Sequence, residues 1–310
     1  MSKIVVAIGG NALGDSPDEQ KQIVKNTAKH LANIIASGNQ LVIVHGNGPQ
    51  VGMINLGFDL AHKSDAKSPI VDFPECGSMS QGYIGYHLQQ ALKNELNKMK
   101  INKEVGSLIT QTVVDKNDQA FSNATKPIGS FYDANTAKDL ARKNNWSIKE
   151  DSGRGWRRVI ASPKPIDIIE KNIIISMIES GIVPIVAGGG GIPVFKQGED
   201  LIGIAAVIDK DFAAAKVAEI IEADQLIILT AVESIMINYK KPEQKALSEV
   251  TKDELLEHIK DNQFAPGSML PKVEAAISFA EKGKNNLAII GSLEKVKEVL
   301  AGKSGTKIKI

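Results

Sequence analysis

A single cysteine, Cys76, in 310 residues leaves no room for an intrachain disulfide or a zinc site built on several thiolates. With no convincing His/Asn or His/Asp partner pattern, it reads as structural. Arginine is also scarce: Arg142, Arg154, Arg157 and Arg158 are the only four, and three of them crowd together. Neither sign of charge dominates, with 37 basic residues against 36 acidic ones. Without a long basic block, no nucleic acid partner is expected. No apolar run approaches the ~20 residues of a membrane span. An apolar segment follows Met1-Ser2-Lys3 at once, so no signal peptide is expected and the chain reads as cytoplasmic. Catalytic signatures are missing too. The absence of GxxxxGK[ST], and of GxGxxG opening a helix, disfavours a P-loop or a dinucleotide-binding fold. Lacking HExxH, DxDxDG and GxSxG, the chain shows no protein-built metal site and no serine-hydrolase elbow.

What remains is an alternation of buried-strand and helix patterns, long enough for one large domain or two lobes. Ile4–Ile8, Leu41–Val44, Ile182–Ala187, Leu226–Thr230 and Leu287–Ile290 are continuous apolar runs, as in strands covered on both faces. Val105–Val114 reads as a further strand, and Thr306–Ile310 alternates like a half-exposed edge strand. Helical spacing marks Asp18–Ser37, Tyr83–Met99, Ile166–Ser180, Ile204–Glu222, Thr251–Ile259 and Pro271–Glu281. Such strand–helix–strand units argue for an α/β protein with a mainly parallel sheet and right-handed crossovers. From about Asn117 to Pro165 the rhythm breaks. This polar interval holds both tryptophans and reads as a flap inserted on the sheet.

Glycines close three of the strands: Gly9-Gly10-Asn11, Gly46-Asn47-Gly48 and Gly188 to Gly191. Glycine lets backbone N–H groups approach an anion without a Cβ in the way. Each turn also has a plainer reading as a tight connection, and for Gly9-Gly10 alone that reading is favoured. His45 is either a base or a packing residue. Lys210 lies between Asp209 and Asp211 in an otherwise apolar segment, where charges are costly unless they pair or meet a ligand. Lys272 follows Pro271 near a helix start, a place that suits a lysine only with an anion beside it. Glycine turns and lysines together suggest an enzyme that moves a phosphoryl group.

The strings AIGGNAL (Ala7–Leu13), HGNGPQVG (His45–Gly52), KPIGSFY (Lys126–Tyr132), GRGWRRV (Gly153–Val159), AVIDKDFAAA (Ala206–Ala215) and GSMLPKVEAA (Gly267–Ala276) resemble the carbamate kinases of the amino acid kinase family, in order along the chain. The resemblance implies an open three-layer αβα sandwich with a protruding flap. An acceptor lobe of about residues 1–200 would carry the flap at about 117–165, and a nucleotide lobe would span about 201–310. It further implies a homodimer, and ATP and carbamate exchanging a phosphoryl group with ADP and carbamoyl phosphate. Mg²⁺ would ride on the nucleotide. Lys210 and Lys272 would contact the transferring group from the nucleotide side and Lys126 from the acceptor side, with Asp211 and Asp209 orienting the lysines. Gly9, Gly10, Asn11, Gly46, Asn47 and Gly48 would donate to the anions, while Ala231, Val232, Tyr239 and Met269 would line the adenine pocket. Two other readings stand beside this one: a kinase of another small carboxylate such as N-acetylglutamate, and a nucleotide-binding regulator without catalysis. Ala7, where acetylglutamate kinases carry a lysine, counts against the first. Leu270 stands where glycine is more usual.

Overall fold

The computed structural model describes residues 2–9, 13, 16–64, 68–144, 146–151 and 153–310. An eight-stranded sheet runs through its centre in the order Glu249–Thr251, Thr306–Lys309, Leu287–Ser292, Gln225–Thr230, Lys3–Ile8, Gln40–His45, Val183–Val186, Val105–Ser107. Neighbours are parallel except Leu287–Ser292 with Thr306–Lys309.

Successive side chains of a strand point to opposite faces, so an unbroken apolar run feeds two cores. Val5, Ala7, Val42 and Val44 join the core under helices Lys210–Ile220 and Met269–Ala280. Ile4, Val6, Ile8, Leu41 and Ile43 join the opposite core, with Leu31 of helix Pro17–Ala36 and Leu88 of helix Phe73–Lys98. The result is the expected three-layer sandwich. A four-stranded sheet, Asp200–Gly203, Ile192–Gln197, Gln111–Val113 and Asp167–Ile168, lies beside it. Inside the polar interval, Lys126–Tyr132, Trp156–Ile160 and Ser147–Glu150 form a three-stranded antiparallel sheet with helix Ala134–Asn144.

Several expected boundaries move. Val105–Val114 is two strands in two sheets, because the Gln81 side chain accepts from Thr110 N–H and donates to Thr110 C=O, at 2.8 and 3.0 Å, and draws the chain aside. The helix expected from Tyr83 begins at Phe73, capped by Asp72. Its Gly85 admits Ser107 at a spacing that no Cβ would allow. The helix expected at Ile166 starts at Lys171, since Asp167 pairs with Val113 in the second sheet. Lys210 opens its helix instead of sitting inside it, because the Asp209 side chain accepts from Asp211 N–H and ends the extended segment there. Thr306–Lys309 is not the sheet edge, for Glu249–Thr251 covers its outer side.

Candidate active site

In parallel α/β sheets, functional groups gather beyond the carboxyl ends of the strands. Gly9, Gly46, Gly188 and Ala231 all follow such ends here. The stem of Lys210 crosses this rim. A Cβ on Gly46 would stand 3.2 Å from its Cδ, and one on Gly9 3.7 Å from its Cε. Lys210 Nζ donates to Asp211 Oδ1 at 2.6 Å, and Lys272 Nζ donates to Asp211 Oδ2 at 2.9 Å. Asp211 is 1% exposed, so one buried carboxylate holds both ammonium groups. Lys126, on the flap, pairs with Asp209 Oδ2. Three lysines against two aspartates leave one positive charge over.

Electrostatics follow from that layout. Burial alone would raise the Asp209 carboxyl, but Lys126 and Lys210 beside it hold it well below the usual carboxylate range. Burial lowers Lys210, with Asp211 opposing and Lys272 adding to the drop. For Lys272 burial pulls the same way, yet Asp211 outweighs it and the ammonium is held above its ordinary value. Two lysines sharing one carboxylate thus differ, the less exposed one being the easier to deprotonate.

Two clefts open on this cluster. The smaller, about 200 Å³, is bounded by Gly46, Asn47, Gly48, Lys126, Arg157 and Asp209, among others. The larger, about 690 Å³, runs past Gly9, Ala231, Val232, Met269 and Glu294. They share Lys210, Ser268 and Lys272. A small space and a larger groove therefore meet at two lysines.

Residues 2–291 match the Amino acid kinase family. The chain is 52% identical over 311 residues to the carbamate kinase of Clostridium perfringens, covering 99% of each. It is 54% identical over 309 residues to that of Staphylococcus haemolyticus, covering 100% of each. Among solved structures it is similar to the carbamate kinase from Giardia lamblia bound to AMP-PNP, with 41% identity, a TM-score of 0.89, and coverage of 99% of this chain and 98% of that one. The chain belongs to the amino acid kinase family, among its carbamate kinases.

Lys126, Lys210, Lys272, Asp209 and Asp211 form one connected cluster. Gly46, Asn47 and Gly48 line the smaller cleft, and Gly9, Ala231, Val232 and Met269 the larger. Gly10 and Asn11 lie outside the described residues. Tyr239 lines neither cleft and is 54% exposed. The glycines act partly through space. Gly46 N–H is spent on Ile8 C=O at 2.9 Å, so this residue is glycine to let Lys210 pass. At Gly188, Gly189 and Gly190, a Cβ would collide with His45, Asn47 and Ile208. Arg157, Gly267 and Ser268 line the site without having been singled out. The scarcity of arginine outside Arg154–Arg158 was the available signal for the first.

His45 is a packing residue. It is 1% exposed, lies against Gly188, and its Nδ1 donates to Gly46 C=O at 2.7 Å. Burial lowers its pKa to about 4 against the opposing pull of that bond. The unfolded chain therefore takes up this proton first. Stability is full above the unfolded value of about 6.5 and falls as pH drops toward 4, by about 3 kcal/mol for this group. Urea unfolding between pH 7 and 4.5 should show the slope, and His45→Asn should flatten it. An equal slope in that variant would place the effect elsewhere.

Proposed function

We propose that this enzyme transfers a phosphoryl group reversibly between ATP and carbamate, forming ADP and carbamoyl phosphate. The observation that carries the reading is the meeting of the two clefts at Lys210 and Lys272. The nucleotide lies in the larger cleft, against Ala231, Val232 and Met269. The acceptor lies in the smaller one, under Lys126. Read this way, an acceptor lobe of about residues 1–200 and a nucleotide lobe of about 201–310 meet at the cluster, with Gly9 of the first lobe reaching the nucleotide cleft and Asp209 of the second the acceptor cleft.

The chemistry asks for little else. A carbamate oxygen is already anionic near neutral pH, so the attack needs no general base. The obstacle is an anionic nucleophile approaching an anionic phosphoryl group. Lys210 and Lys272 reach that group from the nucleotide side, Lys126 from the acceptor side, and their charges draw off the repulsion. Asp211 and Asp209 fix the ammonium positions before substrate arrives. In reverse, an ADP oxygen forms a new bond to phosphorus while the bond to the carbamate oxygen breaks, and carbamate leaves as an anion without needing a proton. Carbamoyl phosphate is a mixed anhydride of high transfer potential, which supports a net direction toward ATP synthesis, and the resemblance to the carbamate kinases implies a place for that step in arginine catabolism.

Both cleft aspartates are taken by lysines, and among the described residues no three His, Cys, Asp or Glu side chains gather as a metal site. This donor set fits Mg²⁺ carried in by phosphate oxygens and water, where the ion neutralises further phosphate charge. No described helix is long and apolar enough to cross a membrane. The same reading makes the enzyme a cytoplasmic homodimer, to which exposed Tyr86 and Met79 and the terminal strand Val105–Ser107 lend a face. A monomer mass by light scattering would sink that assignment.

The deciding assay is ATP formation from ADP, Mg²⁺ and carbamoyl phosphate, with acetylglutamyl phosphate in parallel. Rapid ATP formation from the first alone is expected. No ATP from it, with folded protein that still binds ADP, overturns the reading.

A further inference from the structure

Two neighbouring arginines on the flap strand Trp156–Ile160 have different surroundings. Arg157 lines the smaller cleft. Arg158 turns to the body of the protein. Its guanidinium lies 5.1 Å from the Phe73 ring centroid and 4.8 Å from that of Trp146, and Nη1 donates to Asn55 Oδ1 at 3.1 Å. Trp146 belongs to the flap, whereas Phe73 and Asn55 sit on helices Phe73–Lys98 and Gln50–Lys63 of the body. A flat cation between one ring from each side is a clasp that lysine reproduces poorly.

The clasp is continuous with Lys126. Arg158 stands opposite Ile128 in the strand register, and Ile128 packs with Val51, Phe73 and Val207 of the body. One turn of the body helix fits close against the same strand: a Cβ on Gly52 would collide with the Gly129 backbone. Lys126 is on the same face as Ile128, two residues back, and pairs with Asp209. Flap position and Lys126 position are therefore one variable.

We propose that Arg158 is a positioning residue: by clasping the flap between Trp146 and Phe73, it sets where Lys126 stands over Asp209. This rests on the phosphoryl-transfer reading above. A misplacement of about 1 Å at a reacting group costs up to ~100-fold in rate. Arg158→Ala should lower kcat/KM for carbamoyl phosphate at least ~10-fold, while leaving the ADP dissociation constant within about twofold. In a Lys126→Ala background the same change should cost little more, because the group that it positions is gone. Trp146→Phe should keep most activity and Trp146→Ala should match Arg158→Ala, which decides the matter if the arginine variant does not fold. Unchanged kcat/KM in Arg158→Ala, an equal further loss on top of Lys126→Ala, or a parallel fall in ADP affinity overturns the proposal. Hydrogen exchange of Lys126–Tyr132 provides an arm independent of substrate. Faster exchange in Arg158→Ala is expected even if carbamoyl phosphate proves not to be the substrate, and unchanged exchange overturns the clasp by itself.

Discussion

Lys210→Ala should cut ATP formation from carbamoyl phosphate by about 10³-fold, the scale of losing one preorganised charge at a transferring group. Lys210 lines both clefts, and its ammonium is held by Asp211 at 2.6 Å. Removing it takes the cluster from one net positive charge to none, so the phosphoryl oxygens meet a neutral site. The fold should persist. Asp211 keeps Lys272 as a partner, and Asp209 keeps Lys126. The lost stem lies in a channel walled by Gly9 and Gly46, which leaves a gap beside the clefts and none in the sheet. Arginine should not rescue activity, since a planar, forked guanidinium cannot reproduce the single ammonium that Lys210 sets against Asp211 Oδ1. Steady-state kinetics and a thermal unfolding midpoint check both halves. Turnover at the parental rate would remove Lys210 from the mechanism.

Legibility differed with the kind of signal. The five central strands of continuous apolar sequence were plain, because a parallel sheet covered on both faces needs such runs. Lys210 was legible as a charge in an apolar segment and Lys272 as a cation at a helix start, and the two share the buried Asp211; Lys126 was given by the resemblance alone. What hid was set by contacts distant in sequence. Gln81 pulls Thr110 out of line and splits one expected strand in two. The segment from Cys76 to Gly82, rich in glycine and serine, looks like a loop in isolation, yet it lies within a helix capped at Asp72. The glycine turns were legible as turns but not as spacers. That Gly189 and Gly190 yield to Asn47 and Ile208 is written in packing between segments far apart in the chain. Arg158 was visible as part of a rare cluster, while its partners Phe73 and Trp146 come together only when the flap docks.

Asp211→Asn should damage both stability and catalysis. The carboxylate is 1% exposed and gives one oxygen to each of two lysines. An amide of the same shape offers one acceptor and turns an NH₂ toward the other ammonium, donor against donor. Two buried cations then face each other without the carboxylate between them, Asp209 alone remaining nearby, and breaking a buried pair in this way costs about 3–5 kcal/mol of stability. Chemical denaturation should register that loss, and bound nucleotide should recover more of it in the variant than in the parent, because phosphate replaces the missing anion. Catalysis should change in a manner that a merely weakened fold cannot imitate. Burial lowers the Lys210 pKa and Asp211 is the main group opposing it, so without the carboxylate both burial and Lys272 push it lower still. In the proposed mechanism the charged form is the one that serves the phosphoryl group. As pH rises, Lys210 therefore loses its proton earlier, and the alkaline limb of kcat/KM should move to lower pH in Asp211→Asn. A limb that stays in place, with stability reduced, would make Asp211 a structural partner only and leave the charge of Lys210 in the care of Asp209.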